Sequence, residues 1–171
     1  EYLIYAVVDT AGMTVSLSTN VLTVTPPLDY NGSVDIVVSV YDGEYFDYTD
    51  FTLTVNAVND APIVSQPLED IELLEDSGVV TMDISNVFFD VDDDNLVYDA
   101  SINSNGLVFI DLIGSNLYIS TLTDQFGGPV TITVTADDQN GGSPVIDQFT
   151  VTIIPVNDPL IIISTPSLLA L

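Results

Sequence analysis

The sequence predicts an all-β chain made of tandem β-sandwiches, and three observations support this fold class. A linker motif occurs twice, starting at Val58 and at Val156, which is a repeat of 98 residues. A segment in which apolar residues alternate with threonine precedes each motif, at 51–55 and 149–153, as expected of half-buried strands. Turn residues recur about every 8 to 12 residues, which is typical of sandwiches of short strands.

The repeat divides the chain into three segments. Residues 1–60 are predicted to be the C-terminal part of one repeat, and residues 61–158 a complete repeat. The first copy has no counterpart to 61–95, so two or three strands of a full sandwich are missing from it. Residues 159–171 carry no charge, and they are either the first strand of a further repeat or a donor strand.

The first copy contains the signals of five strands. Short apolar segments indicate the first three, at residues 3–5, 15–17 and 22–24. A turn rich in proline and glycine follows at 26–32, and residues 34–41 then alternate as a half-buried strand does. Asp42-Gly43 turns the chain into the last strand, where Phe51, Leu53 and Val55 share one face.

The second copy repeats this order behind an additional front part. That front part consists of Ile63-Val64, Glu75-Asp76, a strand at 79–84 and an acidic loop at 89–95. Leu96-Val97-Tyr98 aligns with residues 3–5, and Phe126-Gly127-Gly128 aligns with Tyr30-Asn31-Gly32. The later alternating strand is expected to direct four side chains into the core: Val130, Ile132, Val134 and Ala136.

The charge of the chain is one-sided. It carries 26 acidic residues, five of them Glu and the others Asp, with no Lys, Arg or His, so its net charge is −26. No side chain can therefore form a salt bridge, and each carboxylate must face water or share a cation. Asp favours turns and compact oxygen cages, so divalent metal is the favoured interpretation and a solvated acidic surface is the alternative.

The missing residue types exclude several function classes. Without His, Cys or Lys there is no catalytic triad, no Schiff base and no imidazole or thiolate zinc site, so we do not expect an enzyme. Phosphate recognition needs cationic side chains, which excludes nucleic acid as a partner. No apolar run reaches the roughly 18 residues of a membrane helix, so no membrane insertion is predicted in this segment.

The acidic loop is the clearest candidate for metal binding. Asp90, Asp92 and Asp94 alternate along it, and calcium accepts six to eight such oxygen ligands at flexible angles. An EF-hand is a poor match, because the glycine and glutamate that its loop requires are absent. Unless a cation binds, repulsion among these carboxylates would splay the loop.

Several separated motifs resemble the bacterial cadherin-like tandem repeats of large extracellular adhesins. Phe89-Asp90-Val91-Asp92 resembles the cadherin DxD loop, and Thr135-Ala136-Asp137 resembles the Ala-x-Asp of a later strand. Leu74-Glu75-Asp76 resembles the Pro-Glu-Asn near a domain start, and the Asn-Asp pairs at 59–60 and 157–158 resemble the cadherin linker. The resemblance covers 61–158 and the back part within 1–60, and it implies immunoglobulin-like (cadherin-like) β-sandwiches.

The resemblance also implies calcium between successive domains. The first junction would use Asn59, Asp60, Asp90, Asp92 and Asp137, with Asp29, Asp94 and Asp138 as weaker candidates. The second junction would be partial and would use Glu75, Asn157 and Asp158, with Asp124 as a weaker candidate. The alignment does not distinguish Asp137 from Asp138 as the ligand, because the hairpins of the two copies differ in length. The Leu-Asp-Arg-Glu motif of cadherins is absent, so fewer than three ions per linker are expected.

The function implied by the resemblance is structural and adhesive. The chain would be a calcium-stabilised section of an extracellular stalk or filament at the cell surface. Its partners would be neighbouring repeats arranged head to tail and a cell-surface protein or glycan ligand. Shared calcium would neutralise the acids at each linker and fix the angle between domains.

Two alternatives remain open. The apolar residues 159–171 could act as the donor strand of a filament polymerised by strand exchange. A calcium-dependent carbohydrate-binding module is the second alternative. It would use the aromatic cluster Tyr41, Tyr45, Phe46 and Tyr48 around the Asp42-Gly43 turn, whose simpler interpretation is a hairpin with rings covering a core edge.

Overall fold

β-strands and turns account for the regular structure of the computed structural model, which describes residues 4–10, 12–19, 21–92, 95–103 and 106–160. The described residues contain no helix, and the all-β prediction is therefore confirmed. The chain divides into two units, Glu1–Asn59 and Asp60–Leu171. Of the predicted ligands, Asp94 lies outside the described residues.

The described residues of unit 1 form five strands in two sheets. They are β1 Ile4–Asp9, β2 Thr14–Ser18, β3 Val21–Thr25, β4 Gly32–Tyr41 and β5 Phe46–Val55. One sheet has the order β1-β4-β5 and the other is the hairpin β2-β3. Among the described residues, β5 pairs only with β4 and β3 pairs only with β2.

In unit 2, the part of the chain that the structure describes forms nine strands. They are β6 Ile63–Val64, β7 Ile71–Leu74, β8 Val79–Asp83, β9 Phe88–Phe89, β10 Val97–Ile102, β11 Val108–Ile113, β12 Asn116–Thr121, β13 Gly127–Asp137 and β14 Val145–Ile154. Two larger sheets have the orders β10-β13-β14-β7 and β11-β12-β8, and β6 pairs with β9. Strands β10 to β14 repeat the order of β1 to β5, and β7 and β8 cover edges whose equivalents have no partner among the described residues of unit 1.

The core of unit 2 follows the alternation of its strands. From Val130 onward, every second residue of β13 is fully buried, which confirms the predicted inward face of Val130, Ile132, Val134 and Ala136. Phe149, Val151 and Ile153 of β14 join the same cluster.

The turn before β4 and β13 is the same in both units. Asp29 and Asp124 have left-handed φ angles of 57° and 54°, and Gly32 and Gly127 both have a φ of 128°. Gly32 pairs with Val55, and Gly127 pairs with Ile153, its equivalent. The predicted alignment of Gly32 with Gly128 is therefore wrong by one residue, because a register shift after Gly127 absorbs an additional residue in β13.

The first long strand of unit 2 runs parallel to its last. β7 pairs with β14 in the register Val151↔Ile71 to Ile154↔Leu74. Two aspartates extend this contact upstream of β7: Thr150 N–H donates to Asp70 Oδ1 at 2.7 Å, and Leu68 N–H donates to Asp147 Oδ2 at 2.7 Å. Acidic side chains thus act as hydrogen-bond acceptors for backbone at the sheet edge.

Candidate metal sites

Three predicted ligands meet where the chain enters unit 2. The N–H of Asp92 donates to Asp90 Oδ1 at 2.8 Å, and the N–H of Asp60 donates to Asp92 Oδ2 at 2.8 Å. The acidic loop after β9 is therefore bonded to the linker residue that precedes β6. We call Asp60, Asp90 and Asp92 the N-terminal acidic site.

Asp90 is the buried member of this site. Alternation along β9 points Phe88 into the core and Phe89 outward, so Asp90 turns inward again, with only 5% of its surface exposed. Its Oδ2 atom is buried without a hydrogen-bond partner. An open cleft of about 400 Å³ lies beside it, lined also by Ser85, Asn95 and Tyr98. An unpartnered buried carboxylate oxygen is costly, and a bound cation would compensate for it.

The structure distinguishes the two aspartates that alignment left equivalent. Asp137 is the last residue of β13, pairs with Val97, and accepts a hydrogen bond from the N–H of Gln139 at 2.9 Å. Asp138 follows Ala136 by two residues, lies on the inward side and is only 5% exposed. Its Oδ1 accepts a hydrogen bond from the N–H of Asn140 at 2.9 Å. Asp138 therefore resembles Asp90 in burial, whereas Asp137 does not.

A second group of carboxylates includes an aspartate of the linker that follows β14. Oxygen atoms of Asp76, Asp124 and Asp158 all lie within 4.8 Å of one another, and all three residues are exposed. In the part of the chain that the structure describes, no other three acidic side chains meet this closely. We call these residues the C-terminal acidic site.

Local turns bring this group together. Asp76 and Asp124 both adopt left-handed φ angles, 61° and 54°, which aspartate tolerates better than most residues. The N–H of Asp124 contacts Asp76 Oδ1 at 3.4 Å. Sequence reasoning included Asp124 and Asp158 but missed Asp76 as a member of this group. The signal was its position next to Glu75 in an acidic turn before a glycine.

Glu75 joins the turn after β7 to the linker after β14. Its side chain is only 3% exposed, and its Oε1 accepts a hydrogen bond from the N–H of Val156 at 2.7 Å. Its own N–H donates to the carbonyl of Ile154 at 3.0 Å. The second oxygen, Oε2, is buried without a partner, as in Asp90. Both ends of unit 2 thus contain one buried carboxylate with an unpartnered oxygen.

The remaining predicted ligands lie outside these groups. Asn59 belongs to unit 1 and is exposed, and Asp29 is exposed at the turn before β4. The side chain of Asn157 contacts the carbonyl of Asp158 at 3.4 Å.

One tyrosine beside the N-terminal acidic site is electrostatically perturbed. Burial and, secondarily, the nearby Asp83 carboxylate raise the pKa of Tyr98 above its ordinary value of 10.0. Tyr98 also packs against Phe88, with ring centroids 6.1 Å apart. The cleft beside Asp90 therefore has a neutral phenol in its wall.

The aromatic cluster of unit 1 forms a stack on one face of the hairpin. Ring centroids of Tyr41 and Phe46 are 4.4 Å apart, and those of Phe46 and Tyr48 are 6.2 Å apart. These rings alternate with the inward residues of β4 and β5, so they do not cover the core edge. The close carboxylate group found among the described residues belongs to unit 2 rather than to this hairpin.

Comparison with protein families identifies the fold of the repeat. The profile of a bacterial Ig domain family matches residues 59–154, which is more than half of the chain. The chain belongs to the bacterial Ig domain family. This match covers the nine described strands of unit 2 and the N-terminal acidic site, and it ends before Asp158 of the C-terminal acidic site. Ig-like domains are generally non-enzymatic. No curated protein matches the sequence.

Solved structures show the same fold. The EC1-2 domains of human protocadherin-24 are 16% identical, with a TM-score of 0.53 over 92% of this chain and 83% of that one. Extracellular cadherin domains 1-5 of protocadherin gamma B2 are 18% identical, with a TM-score of 0.55 over 91% of this chain and 32% of that one. The chain spans 24% of an endo-fucoidan hydrolase, at 16% identity and a TM-score of 0.44. The bacterial Ig domain is thus also a cadherin-like β-sandwich, as the sequence predicted.

The described residues include no helix with the length and apolar character needed to cross a membrane.

Proposed function

We propose that this chain is a calcium-stabilised structural and adhesive section of an extracellular surface stalk or filament. The single observation that carries the proposal is the pair of buried carboxylates, Asp90 and Glu75. Each has one oxygen bonded to backbone N–H and one buried oxygen without a partner. Because the chain has no Lys, Arg or His, only an external cation can compensate both charges.

The N-terminal ion is proposed to bind to Asp60, Asp90 and Asp92. Hydrogen bonds already join these three residues, and carboxylate oxygens are the ligands that calcium prefers. Burial favours Asp138 over Asp137 as the contribution from the end of β13. Asn59 precedes Asp60 in the linker and can add an amide or carbonyl oxygen.

The C-terminal ion is proposed to bind to Asp76, Asp124 and Asp158. Their mutual distances are within 4.8 Å, which is compatible with oxygens that share one calcium shell. Glu75 and Asn157 are immediate sequence neighbours of two of these residues. The free oxygen of Glu75 and the side chain of Asn157 are the proposed additional ligands.

The proposed role of both ions is to fix the linkers. Asp60 and Asp158 lie in the Asn-Asp pairs that precede the first strand of unit 2 and follow β14, so an ion that holds them restrains the chain on either side of the sandwich. Extracellular modules bind calcium with affinities near 10⁻⁴–10⁻³ M, and calcium at about ten times its Kd stabilises the bound state by about 1.4 kcal/mol. Proposed partners are neighbouring repeats head to tail, together with a protein or glycan at a cell surface.

The test is a calcium titration of the full chain combined with thermal unfolding. Calcium should raise the melting temperature of the wild type, and Asp90→Asn should remove most of that increase. Asp111→Asn is the matched control, because it makes the same charge change at an exposed position of β11 that no proposed site uses. If magnesium, calcium and chelator give the same melting temperature, the acidic residues are solvated surface and the proposal fails.

A further inference from the structure

Three aromatic side chains lie together on the outer face of the hairpin β4-β5. Tyr41 pairs with Phe46, and Tyr48 follows Phe46 by two residues. Because side chains alternate between the faces of a strand, all three point away from the side of Ile36, which is fully buried. Phe46 is 60% exposed and Tyr48 is 58% exposed. We call Tyr41, Phe46 and Tyr48 the aromatic face.

The fold does not require aromatic residues at these positions. In the equivalent pairing of β13 with β14, Ile146 occupies the place of Tyr48, and Gln148 occupies the place of Asp50. Unit 2 therefore forms the same pair of long strands with neither the ring nor the carboxylate. Exposed apolar surface that the fold does not need is typical of a recognition surface.

Carboxylates border the aromatic face at both ends. Asp50 follows Tyr48 by two residues, so it lies on the same face of β5, and it is exposed. Glu44 is exposed in the turn that joins β4 to β5. Because the chain has no Lys, Arg or His, neither carboxylate can form an ion pair with another side chain of this protein.

Local contacts hold the rings in place before any partner arrives. The hydroxyl of Tyr41 donates to the carbonyl of Gly43 at 2.6 Å, and the Tyr41 ring stacks on Phe46 with centroids 4.4 Å apart. Asp42 Oδ1 accepts hydrogen bonds from the N–H groups of Glu44 and Tyr45, which fixes the turn below them. A preformed surface loses little conformational freedom on binding.

The chemistry of this surface selects a cationic partner. The faces of aromatic rings attract guanidinium and ammonium groups, and carboxylates form charge-assisted hydrogen bonds with them. The net charge of −26 attracts a basic partner and repels an anionic glycan or a phosphate group. A neutral sugar could stack on the rings, but it would gain nothing from the charge of Asp50 or Glu44.

We propose that the aromatic face binds an arginine-rich segment of a partner protein. One guanidinium lies against the rings of Phe46 and Tyr48, and a neighbouring one pairs with the carboxylate of Asp50. The contact specifies the protein partner of the proposed adhesive role and rests on that role. It involves none of the residues of the two acidic sites, so it requires no calcium.

The test is calorimetric titration of the full chain with a ten-residue peptide of alternating arginine and serine, in calcium and in excess chelator. The wild type should bind the peptide in both, and Phe46→Ser should weaken binding about three- to tenfold. Asp50→Asn should weaken it about two- to fivefold. The matched controls are Phe109→Ser and Asp111→Asn, which make the same changes at exposed positions of β11, and both should bind as tightly as the wild type.

Three results would overturn the proposal. They are the absence of peptide binding, equal weakening by Asp50→Asn and Asp111→Asn, which indicates attraction to the net charge alone, and unchanged binding in Phe46→Ser. A neutral linear hexasaccharide that binds in place of the peptide, and does not bind Phe46→Ser, would show that the surface recognises a glycan and would also overturn it.

The same titrations separate this contact from the calcium-dependent role. Peptide binding in a chain whose melting temperature does not respond to calcium would support the contact and refute only the role of calcium. A calcium-dependent melting temperature without peptide binding would refute only the contact.

Discussion

Phe51 and Phe149 occupy the same position in their units but differ in burial, with 39% and 1% of their surfaces exposed. Each stands opposite a fully buried isoleucine in the neighbouring strand, Ile36 for Phe51 and Ile132 for Phe149. The sequence and pairing around the two rings are therefore equivalent. The difference arises from β7, which lies beside β14 and has no counterpart beside β5 among the described residues.

Truncation of the two rings should have unequal effects. Phe149→Ala removes a fully packed side chain and should lower the free energy of unfolding of unit 2 by about 3–5 kcal/mol. Phe51→Ala should lower that of unit 1 by about 1–2 kcal/mol, because part of the ring is already in water. Urea denaturation followed by residue-specific amide signals in each unit measures both. Equal losses would contradict the view that the inward face of β5 is uncovered.

The buried charge of Asp90 should have opposite effects with and without calcium. In excess chelator, Asp90→Asn should unfold at a higher temperature than the wild type, because a neutral amide is less costly to bury than an unpaired carboxylate, by about 1 kcal/mol or more. In saturating calcium the order should reverse, because the variant lacks a ligand. Melting curves under both conditions, with Asp111→Asn alongside, measure the crossover. A variant less stable than the wild type in chelator would show that the carboxylate is already compensated.

The C-terminal acidic site should bind independently of the N-terminal one. Asp76→Asn and Asp124→Asn each remove one of three carboxylates that lie within 4.8 Å of one another. Each should lower the number of calcium ions bound per chain by one while leaving the Asp90-dependent binding intact. Isothermal titration calorimetry counts the ions. An unchanged count in both variants would mean that these exposed acids hold no ion.

Gly128 should be the glycine least tolerant of a side chain. A Cβ atom at this position would lie 3.0 Å from the carbonyl oxygen of Val151, and its φ of 122° is unfavourable for other residues. Gly128→Ala should therefore destabilise unit 2 more than Gly141→Ala, which shares a positive φ but has no atom within 4 Å. Backbone strain of about 1–3 kcal/mol is common to both variants. The difference between their free energies of unfolding therefore measures the cost of the contact between the added Cβ and the Val151 carbonyl oxygen. Chemical denaturation of the two variants makes the comparison.

The hairpin between β4 and β5 should weaken in acid through Asp42. The N–H groups of Tyr45 and Glu44 donate to Asp42 Oδ1, both at 2.8 Å, and hold the pKa of its carboxyl below the ordinary value of 3.8. A depressed folded pKa contributes stability above pH 3.8, and this contribution is lost as the pH falls through the folded pKa. Asp42→Asn retains an acceptor oxygen without titrating. As the pH falls below 3.8, the wild type should therefore lose amide protection in the hairpin more steeply than the variant. Parallel curves of amide protection against pH would refute the stabilising role of the Asp42 carboxylate.

Much of the fold could be predicted from the sequence because its signals are local. The alternation of apolar residues with threonine correctly predicted the inward face of Val130 to Ala136. The repeated linker indicated two related sandwiches. The alignment of Gly32 with Gly128 failed because a bulge changes register without leaving a sequence signal. Asp76 was missed because its approach to Asp124 and Asp158 depends on two left-handed turns far apart in sequence. The ligand sets themselves remain predictions, since burial and proximity support them without a bound ion.

The parallel pairing of β7 with β14 has a mechanical consequence. β7 lies close to the start of unit 2 and β14 lies at its end, so tension along the chain pulls the two strands in opposite directions along their shared axis. The hydrogen bonds between them, together with those that the Asp70 and Asp147 carboxylates accept, are then loaded in shear and must break together rather than one at a time. Such a geometry lets a sandwich resist stretching force far better than its equilibrium stability alone would suggest.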